Sequence, residues 1–251
     1  MQHDQLSKFF DENRQIACAF SGGVDSSYLI YSAKSAGCEV RAYFIKSQFQ
    51  PEFEMNDAIE FAANHNVPLT VVTFDALEDS VVAHNPHDRC YYCKCHILKK
   101  IRELAGADGI EIICDGTNAD DDESDRPGMR AMHEYGILSP LRECGYTKAD
   151  IRRLSKEAGL STHDKPSYAC LATRIPTGTL ITAERLKIIE HVEETLFKMG
   201  FSDLRVRFMP PDGAKIQLPD SQMGMALEKR AEILKAFSPI FKITVLDLLS
   251  R

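Results

Sequence analysis

Five apolar residues, 16–20, run straight into Ser21-Gly22-Gly23-Val24-Asp25-Ser26-Ser27. This junction limits the folds open to the chain more than any other feature. A buried strand ends there, turns on glycines and starts a helix at once. Such a corner aims several backbone N–H groups and the positive end of a helix at one spot, which suits a phosphate or pyrophosphate. Gly22 and Gly23 let the backbone take positive φ and approach an anion with no Cβ in the way. Ser21, Ser26 and Ser27 add hydroxyl donors, and Asp25 is placed to orient a metal or a substrate group. No Gly-Lys-Ser/Thr follows, so the turn is not the common P-loop.

Strand and helix signals alternate around this corner. Strands are predicted at 16–20, 39–46, 69–74 and 111–114, with the short apolar segment 137–141 as a candidate fifth. Helices are predicted at 24–36, 52–65, 95–104 and 147–158, the last with Thr147 as N-cap and Gly159 at its end. Alternating units of this length imply an α/β fold, a parallel sheet with helices on both faces and the ligand beyond the carboxyl ends of its strands. After Pro176-Thr177-Gly178 the pattern changes to a helix at 183–199, strands at 204–208 and 214–218, a helix at 222–237 and a last strand at 242–248. The expected organisation is a nucleotide-binding domain over 1–178 and a small α+β domain over 179–251.

Composition removes several function classes. No apolar run approaches the ~20 residues that span a bilayer, and residues 1–5 carry neither a basic nor an apolar leader segment. A cytoplasmic protein with no membrane partner is expected. A net charge of −7 argues against nucleic acid as the main partner, since phosphate-gripping surfaces are basic. Eight cysteines without an export signal do not read as a disulfide framework; buried thiols, metal ligands and reactive thiols are the alternatives.

Four further segments carry possible chemistry. The stretch from Asp115-Gly116 through Asp120, Asp121, Asp122 and Glu123 to Arg126-Pro127-Gly128 follows a strand, and its carboxylates could hold Mg²⁺ through water or form a solvated acidic loop. Asp115, Gly116 and Arg126 are the stronger candidates, being tied to the strand end and the turn. Cys90-Tyr91-Tyr92-Cys93 brings two thiolates near enough to share a metal. A structural zinc completed by His87, His96 or a distant cysteine, a redox dithiol and a three-thiolate iron–sulfur cluster with an open iron all remain open. Cys170, four residues before Arg174, is a buried packing cysteine or a reactive thiolate favoured by the guanidinium. Arg205-Val206-Arg207 places two guanidinium groups on one strand face, where they suit a phosphate.

Together these segments resemble the LarE family of ATP-dependent sulfur transferases, which make the nickel-pincer nucleotide cofactor and belong to the ATP pyrophosphatase (PP-loop) superfamily. The similarity covers nearly the whole chain: the Ser21–Ser27 loop, 115–128, 170–178 and Arg205-Val206-Arg207-Phe208. It implies a Rossmann-like adenine nucleotide alpha hydrolase domain. The implied reaction adenylates a carboxylate of pyridinium-3,5-biscarboxylic acid mononucleotide, releases pyrophosphate and converts the carboxylate to a thiocarboxylate. Residue by residue, Ser21, Gly22, Gly23, Asp25 and Ser26 would hold pyrophosphate and Mg²⁺, with Asp115 and Gly116 beside them. Arg126, Thr173, Arg174, Arg205 and Arg207 would bind substrate or AMP phosphate, and Glu193 stands where the family has an acidic active-site residue. Cys90, Cys93 and Cys170 match the branch that holds a [4Fe–4S] cluster, whose open iron would bind sulfide from an inorganic donor. The resemblance also implies a small-molecule nucleotide substrate and a homo-oligomer, while the end at Leu248-Leu249-Ser250-Arg251 is shorter than the family's tail. Two other readings compete: a cluster-dependent tRNA thiolase of the same superfamily, and a non-catalytic nucleotide-binding protein with a structural zinc. An amide-forming synthetase would leave the cysteines without a purpose.

Overall fold

The computed structural model describes residues 2–121 and 127–250. In chain order its elements are α1 (Gln2–Glu12), β1 (Gln15–Phe20), α2 (Val24–Ser35), β2 (Glu39–Lys46), α3 (Glu52–Asn64), β3 (Leu69–Thr73), α4 (Ser80–Ala83), α5 (Arg89–Ala107), β4 (Ile113–Asp115), α6 (Pro127–Glu134), α7 (Pro140–Glu143), α8 (Lys148–Glu157), a 3₁₀ turn (Leu171–Arg174), α9 (Ala183–Lys198), β5 (Arg205–Met209), β6 (Gly213–Gln217), α10 (Asp220–Glu228), α11 (Arg230–Phe237) and β7 (Ile243–Leu246). They form two compact units. One is built from the described residues of 1–74 and 88–165, the other from those of 75–87 and 166–251.

The first unit is a four-stranded sheet in the order β3-β2-β1-β4, parallel throughout. Side chains alternate across β1. Ile16, Cys18 and Phe20 pack with Leu6, Phe10, Leu29, Phe61 and Ile151 of the helices on one face. Ala17 packs with Tyr43, Val72, Leu98, Ile101 and Met132 on the other. Burial on both faces explains why β1 and β2 are near-continuous apolar runs rather than alternating ones. β1 lies centrally between β2 and β4, with Ala19 opposite Asp115. The loop after β1 and the end of β4 therefore leave the same edge of the sheet.

The second unit carries a three-stranded sheet, β5-β6-β7. β5 and β6 form an antiparallel hairpin with Val206 opposite Ile216, and β7 runs parallel to β6. α9 buries Leu186, Ile189, Val192, Glu193 and Leu196, a stripe at helical spacing interrupted by one acid. Residues 75–87 join this unit through Asn85. Its Nδ2 donates to the carbonyls of Ile175 and Pro176 (3.2 and 2.9 Å), and its own carbonyl accepts from Gly178 N–H at 2.8 Å. Residues 166–178, which sequence pattern groups with the nucleotide domain, thus pack within the second unit.

Several sequence expectations are corrected. Segment 137–141 is not a fifth strand: Leu138 makes a single parallel bridge to Cys114, and Pro140, lacking an N–H, opens α7 instead. The helix expected at 95–104 begins at Arg89, since nothing in 89–94 interrupts it, so the cysteine pair sits on its first two turns. The helix expected at 222–237 is two helices that break at Lys229, where ψ is 12°. α1 and α6 were not expected.

Candidate functional site

The loop after β1 turns on Gly22, whose φ of +71° lies in the left-handed region. An added Cβ there would meet Ala58 Cβ and the Glu54 carbonyl, both at 3.3 Å. Gly23 does not use that freedom: it is extended (φ −85°, ψ 168°) and occupies the N-cap of α2. No side chain caps α2, and the helical ladder begins at Ser27 N–H→Gly23 O, 3.0 Å. The first-turn amides are thereby left for an anion. The serines brace this geometry. Ser26 Oγ donates to the Gly23 carbonyl (3.3 Å), accepts from Ser21 N–H (3.3 Å) and lies 3.1 Å from Ser21 Oγ. The Ser27 hydroxyl is buried without a partner.

Asp25, in the first turn of α2, accepts from Lys148 Nζ through Oδ2 at 2.5 Å. Its other oxygen, Oδ1, is buried and unpartnered. Burial pushes this carboxyl above its ordinary pKa, the Lys148 ammonium pulls against that, and the Asp121 charge adds to it. A buried acceptor in this state fits a divalent cation, so Asp25 is the residue that could hold Mg²⁺.

Asp115 ends β4 and is buried. Its carboxylate accepts from Thr117 N–H (3.2 Å), Thr117 Oγ1 (2.5 Å) and Ser139 Oγ (2.7 Å). These bonds fix the strand exit. Gly116 is needed for close approach: a Cβ there would lie 2.6 Å from Ser26 N and 2.9 Å from Ser26 Cα. Asp120 and Asp121 also hold backbone. Asp120 Oδ2 accepts from Lys148 N–H at 2.7 Å, and Asp121 Oδ2 from Asn118 N–H at 3.0 Å. Asp122, Glu123 and Arg126 lie outside the described residues.

Two lysines flank the loop without having been singled out from sequence. Lys148 opens α8, behind the capping box of Thr147 and Asp150. Lys165 donates to the Gly22 carbonyl at 3.0 Å and pairs with Asp57 at 2.7 Å. The one sequence signal for Lys148 was its place directly after an N-cap, where helices favour acids.

The cysteines separate by environment. Cys18, Cys38, Cys114 and Cys144 are buried, and burial pushes all four thiols up, Cys38 to about 11. Cys90 is exposed, while Cys93, Cys95 and Cys170 are half-buried. Cys90 and Cys93 stand three apart on α5, hence on one face, and Arg89 Nη2 donates to Cys90 Sγ at 3.4 Å. Two neighbouring thiols suit a soft metal or a cluster. Among the described residues no three His, Cys, Asp or Glu side chains stand together as a metal-holding group. Cys90 and Cys93 belong to the first unit and Cys170 to the second.

In the second unit Arg174, 1% exposed, forks onto Glu193: Nε to Oε1 at 2.8 Å and Nη2 to Oε2 at 3.1 Å. Its Nη1 donates to the Ala169 carbonyl (2.8 Å) and Thr173 Oγ1 (3.0 Å), and its guanidinium stacks 4.4 Å from the Tyr168 ring centroid. Glu193 also accepts from Tyr168 OH and from Val206 N–H at 2.7 Å. Arg205 and Arg207 share the other face of β5 from buried Val206 and Phe208. Arg207 reaches the Thr173 carbonyl (2.7 Å) and Gln217 (2.6 Å), whereas Arg205 Nε is buried without a partner. Burial, then the charges of Arg174 and Arg207, pull the Arg205 guanidinium down. Three guanidinium groups balanced by one carboxylate are a donor set that suits an anion.

A parallel sheet with a glycine-turned, uncapped helix start at its carboxyl edge defines an α/β protein of the PP-loop nucleotide-binding class. The family model described as the tRNA methyl transferase HUP domain matches residues 14–75. The chain is 32% identical over 250 residues to an uncharacterized protein of Synechocystis, covering 98% of this chain and 92% of that one. It is 35% identical over 226 residues to an uncharacterized protein of Methanocaldococcus jannaschii, covering 90% and 86%. Against the pyridinium-3,5-bisthiocarboxylic acid mononucleotide synthase of Lactiplantibacillus plantarum the identity is 29% over 238 residues, covering 94% and 86%. The chain belongs to the LarE family of the PP-loop superfamily. No helix among the described residues is long and apolar enough to cross a membrane.

Proposed function

We propose that the chain is an ATP-dependent sulfur transferase acting on pyridinium-3,5-biscarboxylic acid mononucleotide. A substrate carboxylate oxygen attacks the α-phosphorus of ATP and pyrophosphate leaves. A sulfur nucleophile then attacks the acyl carbon, AMP departs, and a thiocarboxylate remains. One observation carries this reading: the uncapped start of α2, behind Gly22 and against Gly116, in a chain that matches a named thiocarboxylate synthase over 94% of its length.

In this reading the first-turn amides of α2, with Ser21, Gly22, Gly23 and Ser26, bind the pyrophosphate, and Asp25 holds Mg²⁺. When bound, that ion neutralises charge on the departing pyrophosphate. Asp115 and Gly116 keep the strand exit against the loop so that its amides converge. Arg205 and Arg207, beside Thr173, bind a phosphate of the substrate nucleotide or of AMP, the unpartnered Arg205 Nε being the donor kept for it. Arg126 is assigned to the same task from its motif. Arg174 gives four of its five N–H groups to Glu193, Ala169 and Thr173, so both it and Glu193 serve by fixing the 169–174 segment that carries Cys170.

Cys90, Cys93 and Cys170 are the assigned ligands of a [4Fe–4S] cluster; when bound, it supplies an open iron to carry inorganic sulfide. The support is that these thiols are among the four that are not buried, and that thiolate donors suit iron–sulfur chemistry. Iron and acid-labile sulfide analysis of anaerobically prepared protein tests the assignment, and zinc without sulfide refutes it. Product mass spectrometry after incubation with ATP, Mg²⁺, sulfide and the candidate nucleotide tests the reaction. The expected products are AMP, pyrophosphate and a nucleotide in which sulfur replaces a carboxylate oxygen.

The HUP-domain match, whose description names tRNA, favours one second reading, a tRNA thiolase. Tight binding of labelled tRNA at physiological salt, with no reaction on the pyridinium nucleotide, would select it.

A further inference from the structure

Lys148 is a charged residue beside the loop to which no motif assigns a task. Its place is tightly set: Thr147 and Asp150 cap α8 reciprocally, and its backbone N–H donates to Asp120 Oδ2 at 2.7 Å. A cation at the first position of a helix opposes the macrodipole, so helix stability does not explain the lysine. Its ammonium lies 2.5 Å from Asp25 Oδ2, with the two side chains 31% and 22% exposed. It satisfies only half of that carboxylate, because Oδ1 stays buried and unpartnered. The other charges acting on Asp25 are Asp121, which opposes its ionisation, and Arg152, which favours it. Lysine is a compact charge on a flexible stem, and the α2 first turn beside Asp25 is where phosphate oxygens are read to bind.

We infer that Lys148 is a placeholder cation: it neutralises Asp25 while the loop is empty, then cedes the carboxylate to the incoming divalent cation and moves to a phosphate oxygen. The inference rests on the ATP-binding reading of the loop. It makes Lys148 a competitor of the metal and an ally of the nucleotide, so one substitution must shift the two affinities in opposite directions.

The test uses the full chain and two probes, Mn²⁺ alone followed by electron paramagnetic resonance, and ATP in excess chelator followed by calorimetry. In Lys148→Gln, Mn²⁺ alone is expected to bind about fivefold more tightly and metal-free ATP about fivefold more weakly, the lower end of ordinary site coupling. Lys148→Arg, which keeps the charge, should shift both affinities less than Lys148→Gln does. Asp25→Asn should abolish the gain in Mn²⁺ binding when combined with Lys148→Gln. Both affinities falling together, as a merely structural role requires, or neither moving, overturns the inference. If wild-type protein binds ATP·Mg²⁺ and the opposite shifts are absent, only the placeholder role fails. If wild-type protein binds no ATP at all, the nucleotide reading falls with it.

Discussion

Replacing Gly116 by alanine tests whether the loop after β1 is built by close packing of two chain segments. A methyl group at 116 would sit 2.6 Å from Ser26 N, 2.9 Å from Ser26 Cα and 3.0 Å from the Asp25 carbonyl carbon. All three are backbone atoms of the first turn of α2, so no side chain can swing aside. Restoring an ordinary 3.4 Å contact requires the β4 exit or the helix start to retreat by about 0.8 Å. Overpacking of this kind costs about 1–3 kcal/mol, and displacing a positioning group by close to 1 Å costs on the order of 10²-fold in rate. The same loop contains graded controls. Gly22→Ala combines a φ of +71° with 3.3 Å contacts to Ala58 and Glu54, and the left-handed backbone alone costs roughly 1–2 kcal/mol. Gly23→Ala meets only Ser21 Oγ at 3.4 Å from an extended backbone, and should stay within about 0.5 kcal/mol of wild type. Urea unfolding should rank the stability of the three variants as Gly23→Ala, Gly22→Ala, Gly116→Ala, from mildest to worst, and ATP calorimetry should show weaker binding in Gly116→Ala than in wild type. Wild-type stability and ATP affinity in Gly116→Ala would refute the close-packing argument, as would finding Gly23→Ala the most damaged.

Other consequences follow from the same geometry. Alkylation of the native, metal-free protein should label Cys90, Cys93, Cys95 and Cys170 and spare Cys18, Cys38, Cys114 and Cys144 until denaturant is added, read by peptide mass spectrometry; early labelling of Cys18 or Cys114 would contradict their burial. Glu193→Gln leaves the buried Arg174 charge without its counter-ion and should cost about 3–5 kcal/mol in urea unfolding; a loss under 1 kcal/mol would show that the pair is not closed to water. Asp247, held at about 2 by hydrogen bonds from Lys215 and Gln217, stabilises the fold above its ordinary value of 3.8 and loses that contribution as pH falls from there towards 2. Asp247→Asn should therefore lower the melting temperature at pH 7 and converge with wild type near pH 2, and a difference that persists at pH 2 would assign the effect to packing.

Much of the first unit was legible because its signals are local. The run 16–20 and the glycines after it fix a strand, a turn and a helix over residues 15–35, and Thr147 announces the start of α8. What escaped depends on separation or on conformation. Lys148 meets Asp25 across 123 residues and Lys165 meets Gly22 across 143, and a lysine carries no mark of a distant partner. Gly22 and Gly23 both permit positive φ, but permission is not requirement, and only Gly22 turns there. Gly116 was read as a turn residue, whereas its neighbour in space, the start of α2, is the reason for it. Periodicity ran unbroken through 222–237, so the break at Lys229 left no trace in the pattern. The short run 137–141 was ambiguous by length alone.

The charged residues that the sequence brings forward divide, on the described structure, into those already satisfied and those held open. Asp115, Asp120 and Asp121 accept from neighbouring backbone or hydroxyl groups, and Arg174 and Glu193 satisfy one another. These residues shape their surroundings. Asp25 and Arg205 differ, because each keeps one buried polar atom without a partner, an acceptor in the first unit and a donor in the second. An unpaired buried polar group costs about 1–3 kcal/mol, and burial strains the charged form of both side chains in the direction their pKa shifts record. A fold selected for stability alone would have closed these two positions with a neighbour, as it closed Arg207 with Thr173 and Gln217. An acceptor suits a cation and a guanidinium N–H suits a phosphate, so the two open atoms match the ligand chemistry of the motifs that contain them. The unsatisfied atoms, more than the count of charges, are the physical support for the functional assignment.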